Sequence, residues 1–164
     1  MLVVSNTSPI MNIAIVDLLS LLRQQFSEVI IPAAVIEELR LDTDYPGTDK
    51  IRQAISDGWL RQITVENQQL VLALKRELDD GEAEAIALAL QLKADLLLMD
   101  ERDGRSVAKS MGINPIGILG VLIRAKQGGT IKSVKEVLIR LRNEAGFYLA
   151  DDLMQNILVE IGES

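Results

Sequence analysis

Short apolar segments alternate with segments of helical periodicity along most of the chain. Five segments are continuously apolar or alternate in polarity, as is typical of short strands: residues 2–4, 29–31, 60–65, 96–99 and 115–116. Between them, apolar residues recur at helical spacing, as in Leu70, Leu74 and Leu78. Strands separated by helices indicate right-handed crossovers and a parallel sheet with helices on both faces.

Proline, capping and turn-forming residues predict where several helices begin. We expect Ser8 to cap the first helix, with a proline at its first position. Pro32 opens a second helix, predicted to run to about Leu41. Asp79 or Asp80 caps the helix that leads into the fourth strand. These boundaries decide which polar side chains lie beside the strand ends.

The last part of the chain, from about residue 118 to residue 164, carries only helical patterns. No repeat, low-complexity stretch or linker interrupts the sequence, and 164 residues suit one domain of ordinary size. We therefore predict a single domain over residues 1–164. Its expected fold class is α/β: a three-layer α/β/α arrangement around a five-stranded parallel sheet of order 3-2-1-4-5, with the C-terminal helices packed on it.

The composition narrows the chemistry that the chain can perform. It contains no cysteine and no histidine, which excludes disulfides, cysteine or histidine metal sites and a Ser-His-Asp triad. Aromatic residues make up only 3%, so base stacking is a poor basis for nucleic-acid binding. Carboxylate or lysine chemistry remains, and the metals to consider are hard cations that prefer oxygen ligands.

Charge and hydropathy bear on partners and location. The net charge of −7 does not attract nucleic acid in general, so a nucleic acid would have to meet a local basic rim or a bound metal. No apolar run reaches about 18 residues, which predicts no membrane span. The N-terminus lacks the basic region and cleavage site of a signal peptide. We therefore expect a cytoplasmic protein.

Candidate metal ligands follow from the predicted sheet. Open parallel sheets bind ligands at the carboxyl ends of the strands, where the strand order reverses. Asn6 follows the first strand and Asp100 follows the fourth, which are neighbours in the predicted order, and Asp103 lies just beyond. Glu82 falls in the first turn of the helix before strand 4, and Glu38 lies on the helix after strand 2. These side chains are predicted to face one crevice.

Several carboxylates in one crevice repel one another and require a counter-charge, which a divalent cation can supply. Such a cation also polarises a phosphoryl oxygen and lowers the pKa of a bound water. The pattern therefore favours a Mg²⁺- or Mn²⁺-dependent phosphodiesterase, since that chemistry needs neither histidine nor cysteine.

Each candidate also has a purely structural interpretation. Glu38 can lie on a helix surface, and Glu82 can simply complement a helix N-terminus. Asn6 at a strand–helix junction can form a turn or a cap. Glu84 can face solvent or pair with a cation, and residues 100–105 can form a solvated turn with paired charges. The sequence alone leaves these alternatives open.

Four motifs, taken together and in order, carry a resemblance that covers nearly the whole chain. They are Val-Val-Ser-Asn6-Thr-Ser-Pro, Ile-Pro-Ala-Ala-Val-Ile-Glu-Glu38-Leu, Gly-Glu82-Ala-Glu84-Ala and Leu-Leu-Leu-Met-Asp100-Glu-Arg-Asp103-Gly-Arg105. In this layout the chain resembles PIN domains, and more narrowly a prokaryotic branch related to VapC-type toxins. The resemblance implies a five-stranded parallel sheet, an acidic quartet that binds Mg²⁺ or Mn²⁺, cleavage of single-stranded RNA and, in toxins, an antitoxin partner.

The resemblance also assigns positions to the acids. Glu38 matches the second acid of the family and Asp100 the fourth. Glu82 matches the third best, with Glu84 as the alternative register. Asp103 matches the accessory acid that follows. By this correspondence Glu38, Glu82 and Asp100 are the predicted catalytic residues and metal ligands, and Asp103 assists.

The first position of the quartet departs from the family pattern. Asn6 stands where the family usually has an aspartate, and Ser8 lies near the hydroxyl position beside it. An amide oxygen can ligate a hard cation but adds no charge and cannot act as a base. Metal binding is therefore expected to be weaker. Ser8, Arg102 and Arg105 are the predicted substrate-binding residues.

Two functional hypotheses follow. The first is a toxin-type, metal-dependent ribonuclease with RNA as substrate and an antitoxin as partner. The second is a catalytically weak or inactive PIN-like module that binds a protein or forms a homodimer through its apolar C-terminal helices. A response-regulator receiver and a haloacid-dehalogenase-type phosphatase both require an acid after strand 1, which Asn6 does not supply.

Overall fold

The computed structural model describes residues 1–163. Its sheet has five parallel strands in the order β3-β2-β1-β4-β5. The strands are β1 (Val3–Ser5), β2 (Val29–Ile31), β3 (Leu60–Gln62), β4 (Leu96–Leu98) and β5 (Pro115–Ile116). The predicted fold class and strand order are confirmed, and β3 lies at an edge of the sheet.

Ten helices flank the sheet within the described range. They are α1 (Thr7–Ile15), α2 (Ser20–Phe26), α3 (Ala33–Glu38), α4 (Thr48–Ser56), α5 (Gln68–Leu74), α6 (Asp80–Leu92), α7 (Arg102–Ser110), α8 (Ile118–Gln127), α9 (Val134–Ala145) and α10 (Asp151–Glu160). None of the helices among residues 1–163 combines the length and the apolar character that crossing a membrane requires.

Both faces of the sheet are buried, which explains the unbroken apolar character of its central strands. Val3 and Leu96 point into a core formed with α1, α2, α8 and α9. Their neighbours Val4 and Leu97 point into a second core on the opposite face, formed mainly with α5, α6 and α7. Successive strand residues thus serve alternate cores, as the period of two requires.

Two predicted helix boundaries are wrong, and both corrections affect the candidate site. Asn6, rather than Ser8, occupies the N-cap position of α1, so Ser8 lies inside the first turn. Helix α3 ends at Glu38 instead of continuing to Leu41, and Arg40 adopts a left-handed backbone with φ of 53°. A left-handed residue cannot continue an α-helix. Glu38 is therefore the last residue of its helix rather than part of an interior face.

Glu163 connects the end of the described chain to helices α8 and α9. Its carboxylate accepts hydrogen bonds from the backbone N–H groups of Val134 at 2.8 Å and Lys135 at 3.0 Å, at the start of α9. It also accepts from Lys126 Nζ at 2.8 Å and Ser133 Oγ at 3.0 Å. The chain after α10 therefore caps α9 and reaches the last turn of α8.

Candidate functional site

The strand order brings Asn6 and Asp100 to adjacent strand ends. Strands β1 and β4 pair in register, with Ser5 opposite Leu98, and the backbone N–H of Asn6 donates to the carbonyl of Leu98 at 2.9 Å. Asp100 lies two residues beyond Leu98 on the neighbouring strand. The reversal of strand order therefore places both side chains at the carboxyl edge of the sheet.

Asn6 is almost fully buried, with 3% of its surface exposed. Its side chain makes no hydrogen bond that would cap α1. Instead its Nδ2 donates to Glu101 Oε2 at 3.0 Å and contacts Met99 Sδ at 3.4 Å. Its Oδ1 is buried and has no hydrogen-bond partner among the described residues. A simple capping role does not account for this arrangement, because the acceptor oxygen is left unused.

Glu101 is a central residue of this edge that sequence reasoning did not select. Besides Asn6, its carboxylate accepts a hydrogen bond from Ser8 Oγ at 2.7 Å. Its negative charge is one of the influences that raise the pKa values of Glu82 and Asp100. The sequence feature that points to Glu101 is its position directly after Asp100 in an acidic turn. Sequence could not show that this side chain bridges back to the end of β1.

Glu38 lies against the N-terminus of α6. Its carboxylate accepts a hydrogen bond from Thr7 Oγ1 at 3.0 Å and another from the backbone of Gly81. A Cβ at position 81 would collide with both carboxylate oxygens, so this approach requires glycine. Burial is the main cause that raises the pKa of Glu38, and the charges of Asp79 and Asp80 add to it.

Glu82 and Glu84 lie two residues apart on α6 but contact different parts of the molecule. Glu82, which is 8% exposed, completes a capping box with Asp79. Burial is the main cause that raises its pKa, and the charges of Asp79 and Glu101 contribute. Glu84 instead accepts a hydrogen bond from the backbone N–H of Ala34 at 3.1 Å, at the start of α3. The contacts thus direct Glu82 toward the other acids and Glu84 toward a neighbouring helix.

Asp100 lies at the N-terminus of α8. Its Oδ1 accepts a hydrogen bond from the backbone N–H of Ile118 at 2.9 Å, and its Oδ2 is buried without a partner among residues 1–163. Burial, with a smaller contribution from the charge of Glu101, raises the pKa of Asp100 to about 6, although the Ile118 N–H and Arg105 act to lower it. A Cβ on Gly117 would lie 2.6 Å from Oδ1, so glycine is needed for this approach too.

The remaining predicted residues lie farther out on α7. Arg105 is half-buried and donates from Nη1 to the carbonyl of Met99 at 3.0 Å. Arg102 is exposed at the start of the helix. Asp103 is also exposed and lines a depression with Glu77 rather than the crevices described below. Of the predicted residues on α7, Arg105 is therefore the one whose charge acts on Asp100.

Two depressions open beside this edge. One, of about 280 Å³, is lined by Thr7, Ser8, Glu38, Arg40 and Tyr45, among others. The other, of about 560 Å³, runs from Asp100 and Arg105 along α8 to Phe147 and Tyr148. Glu38 and Asp100 therefore border different depressions, each of which also contains an arginine.

The acids form a connected series rather than one closed ring. Electrostatic contacts link Glu38 to Asp79, Asp79 to Glu82, Glu82 to Glu101 and Glu101 to Asp100. Within residues 1–163, no three acidic side chains approach closely enough to form a ready set of metal ligands.

The chemistry of the donors nevertheless fits a hard divalent cation. Asn6 Oδ1 and Asp100 Oδ2 are buried oxygens that find no hydrogen-bond partner in the described part of the chain, and such atoms ordinarily cost free energy. The carboxylates of Glu38 and Glu82 supply further oxygen donors at the same edge, and Mg²⁺ and Mn²⁺ prefer oxygen ligands. Two orphaned oxygens beside carboxylates of raised pKa form a donor set that a cation would satisfy.

A five-stranded parallel sheet of order 3-2-1-4-5, with acidic side chains at its carboxyl edge, defines a class of three-layer α/β domains. A family model described as PIN domain matches residues 2–163, so the chain belongs to the PIN-domain family.

A solved structure has the same fold. A PilT N-terminus domain protein from the hyperthermophilic archaeon Sulfolobus solfataricus is similar, with a TM-score of 0.53 and 22% sequence identity. The match covers 76% of this chain and 93% of the archaeal chain. A comparison with curated protein sequences finds no match. The structural likeness at this identity concerns the fold.

Proposed function

We propose that this protein is a Mg²⁺- or Mn²⁺-dependent ribonuclease that hydrolyses phosphodiester bonds in RNA at the carboxyl edge of its sheet. The observation that carries the proposal is a pair of buried oxygens at adjacent strand ends, Asn6 Oδ1 and Asp100 Oδ2, which have no hydrogen-bond partner among residues 1–163. PIN domains are generally nuclease-like and are typically divalent-metal dependent, which supports the same reading.

Glu38, Glu82 and Asp100 are the proposed ligands and catalytic carboxylates, and Asn6 contributes an uncharged oxygen. When bound, the cation would polarise a phosphoryl oxygen and lower the pKa of a water molecule. Asp103 is exposed on α7 and is proposed only to assist at the rim.

Hydrogen bonds from backbone and hydroxyl groups hold the proposed ligands in place. The Ile118 N–H fixes one oxygen of Asp100 at the positive end of α8 and leaves the other oxygen available. Thr7 and the start of α6 hold Glu38 in the same way. Such fixed orientation reduces the reorganisation that ligand binding would require.

Arginines beside the two depressions are the proposed contacts for the RNA backbone. Arg40 lines the depression next to Glu38, and Arg105 lines the one next to Asp100. Arg102 is exposed at the start of α7, and Ser8 borders the first depression. With a net charge of −7, the chain would meet RNA through this local basic rim and through the cation.

A cleavage assay with single-stranded RNA tests the proposal. We expect cleavage with Mn²⁺, no cleavage with EDTA, and a loss of at least about a hundredfold in a Glu82→Gln/Asp100→Asn variant, in keeping with the removal of ligand charges. Glu37→Gln is a matched control, because Glu37 is an exposed acid beside Glu38. Cleavage that persists at the original rate in the double variant would exclude this site.

A second candidate function is supported by exposed apolar side chains on the C-terminal helices. Ile139, Leu153 and Val159 are exposed by 42%, 47% and 58%, on α9 and α10. A partner that covered α9 and α10 would remove these apolar side chains from water, which favours association. A homodimer or an antitoxin bound at these helices is the corresponding proposal. Light scattering of the wild type and a Val159→Lys variant tests whether the protein forms a dimer. We expect a larger monomer fraction in the variant than in the wild type. A wild-type protein that is entirely monomeric would exclude the dimer.

A further inference from the structure

Position 6 carries no charge, but a negatively charged side chain lies beside it. Asn6 follows β1, and the carboxylate of Glu101 lies 3.0 Å from its amide nitrogen. An aspartate at position 6 would face the Glu101 carboxylate at this distance, and two such charges repel. Asparagine at 6 and glutamate at 101 are therefore mutually compatible, whereas two acids would require a cation between them.

We propose that Glu101 supplies the negative charge that Asn6 lacks and serves, together with Asn6 Oδ1, as a ligand of the divalent cation at this site. This inference rests on the metal-dependent function proposed above. The site then contains four carboxylates, those of Glu38, Glu82, Asp100 and Glu101. These four carboxylates carry the formal charge of an acidic quartet. One of them lies at the start of α7 instead of at the end of β1.

The hydrogen bonds of Glu101 leave room for this role. One of its oxygens accepts from Asn6 Nδ2 and the other from Ser8 Oγ. A carboxylate has about four acceptor positions, so each oxygen retains one for a cation. The two donors orient the carboxylate without neutralising it, which is how supporting groups commonly position a metal ligand.

The orientation of the Asn6 amide follows from the same contact. Because the carboxylate of Glu101 accepts only from N–H or O–H donors, Nδ2 must face it and Oδ1 must point elsewhere. That oxygen is buried and has no hydrogen-bond partner among residues 1–163, and only 3% of the Asn6 surface is exposed. Glu101 thus fixes the amide with its nitrogen toward the carboxylate, and the amide oxygen remains free to accept a ligand as far as residues 1–163 are concerned.

Glu101 also lies electrostatically between the other acids. Its charge acts on Glu82 and on Asp100, which are anchored on α6 and after β4. A cation held by Glu101 would therefore reduce the repulsion of Glu101 with both Glu82 and Asp100.

The test measures Mn²⁺ affinity by calorimetry and by the stabilisation that Mn²⁺ gives against thermal unfolding, without using catalysis. The variants are Glu101→Gln, Asn6→Asp and the double variant Asn6→Asp/Glu101→Gln, with Glu136→Gln as an exposed control on α9. Glutamine keeps an acceptor for Asn6 or Ser8 but removes the charge. Unfolding measured in EDTA verifies that each variant is folded.

We expect Glu101→Gln to weaken Mn²⁺ binding by at least about tenfold and the double variant to recover most of that loss, because it returns the charge to position 6. The single variant Asn6→Asp should lower the thermal stability in EDTA, since two carboxylates then face each other, and should bind Mn²⁺ more tightly than the wild type.

Two results would overturn the inference without touching the proposed function. One is wild-type Mn²⁺ affinity in Glu101→Gln, which would show that the other acids suffice. The other is a loss of Mn²⁺ affinity in Glu101→Gln that the double variant Asn6→Asp/Glu101→Gln does not recover. This would show that a carboxylate at position 6 cannot replace the one at position 101. Absence of Mn²⁺ binding by the wild-type protein itself would overturn both this inference and the function on which it rests.

Discussion

The carboxylate of Glu38 rests directly on the backbone of Gly81, so the last residue of α3 touches the first turn of α6. A Cβ at position 81 would collide with both oxygens of this carboxylate, so Glu38 could not keep its present position if residue 81 carried a side chain. The N-terminus of a helix carries partial positive charge, and its free N–H groups stabilise an anion there. One proposed ligand is therefore positioned by a helix terminus.

Gly81→Ala should displace Glu38 and weaken Mn²⁺ binding by about tenfold, in the range seen when groups supporting a ligand are removed. Alanine normally stabilises a helix by about 1 kcal/mol relative to glycine, so the helix itself should persist. Calorimetric titration with Mn²⁺ and circular dichroism measure the two effects separately.

Gly128→Ala is the matched control for that substitution. A Cβ at Gly128 would come no closer than 3.4 Å to its neighbours, and this residue follows α8, away from the acids. Its Mn²⁺ affinity should equal that of the wild type. Equal affinity in Gly81→Ala as well would show that the contact with Glu38 has no part in metal binding.

Glu82→Gln and Glu84→Gln should separate metal binding from stability. Glutamine at 82 can still complete the capping box, so this variant should fold normally but lose Mn²⁺ affinity. Glutamine at 84 weakens only the hydrogen bond to Ala34, which should cost about 1 kcal/mol of unfolding free energy and leave Mn²⁺ affinity unchanged. Urea unfolding and metal titration of both variants decide whether Glu82 or Glu84 is the third acid. Loss of Mn²⁺ affinity in Glu84→Gln, with wild-type affinity in Glu82→Gln, would assign Glu84 to the site.

Without metal, the protein should lose stability as the pH rises from about 4 to above 6. Burial raises the pKa of Asp100 from 3.8 to about 6, so the folded state binds a proton more tightly than the unfolded state. That contribution is complete below the unfolded pKa and disappears as the pH rises through the folded one. The upper limit is about 3 kcal/mol, at 1.36 kcal/mol per pKa unit.

Urea unfolding in EDTA at several pH values measures this dependence. Asp100→Asn should flatten the decline in unfolding free energy between pH 4 and 7, whereas Asp49→Asn, an exposed control on α4, should retain it. Identical pH profiles for the wild type and Asp100→Asn would show that this carboxyl titrates normally.

Glu163 should have the opposite pH dependence. Burial alone would raise its pKa, but hydrogen bonds from Lys126, Lys135, Val134 and Ser133 lower it to about 2. The stability that it contributes is therefore present above the usual pKa of about 4.5 and is lost as the pH falls toward 2. Glu163→Gln should lower the unfolding free energy at pH 7 by roughly 1–3 kcal/mol.

Thermal and urea unfolding at pH 7 check the Glu163 prediction. Glu160→Gln is the control, because Glu160 is an exposed acid in the same helix region. A Glu163→Gln variant as stable as this control would show that the hydrogen bonds at the start of α9 contribute nothing measurable.

The sheet could be predicted from the sequence because both of its faces are buried. Apolar runs such as 29–31 and 96–98 have no alternative location in a folded chain of this size, and the helices between them impose parallel pairing. The strand order then places Asn6 beside Asp100 without further information. The carboxyl-edge location of these two residues was therefore predictable.

The detailed roles of the acids could not be predicted, because they depend on contacts between distant segments. Nothing local distinguishes Glu101 from a solvated acid in a turn, yet it bonds to Asn6, 95 residues away. Likewise, Glu84 matches the motif almost as well as Glu82 but bonds to α3. The end of α3 at Glu38 depends on the left-handed backbone of Arg40, for which arginine gives no sequence signal.

A crystal structure of the wild-type protein soaked with Mn²⁺, with anomalous diffraction locating the metal, tests the central claim most directly. The account predicts an anomalous peak at the carboxyl edge of the sheet, ligated by Asp100 and by at least one of Glu38 and Glu82. Fully occupied Mn²⁺ found only at exposed acids such as Asp103, or no bound Mn²⁺ at all, would contradict it.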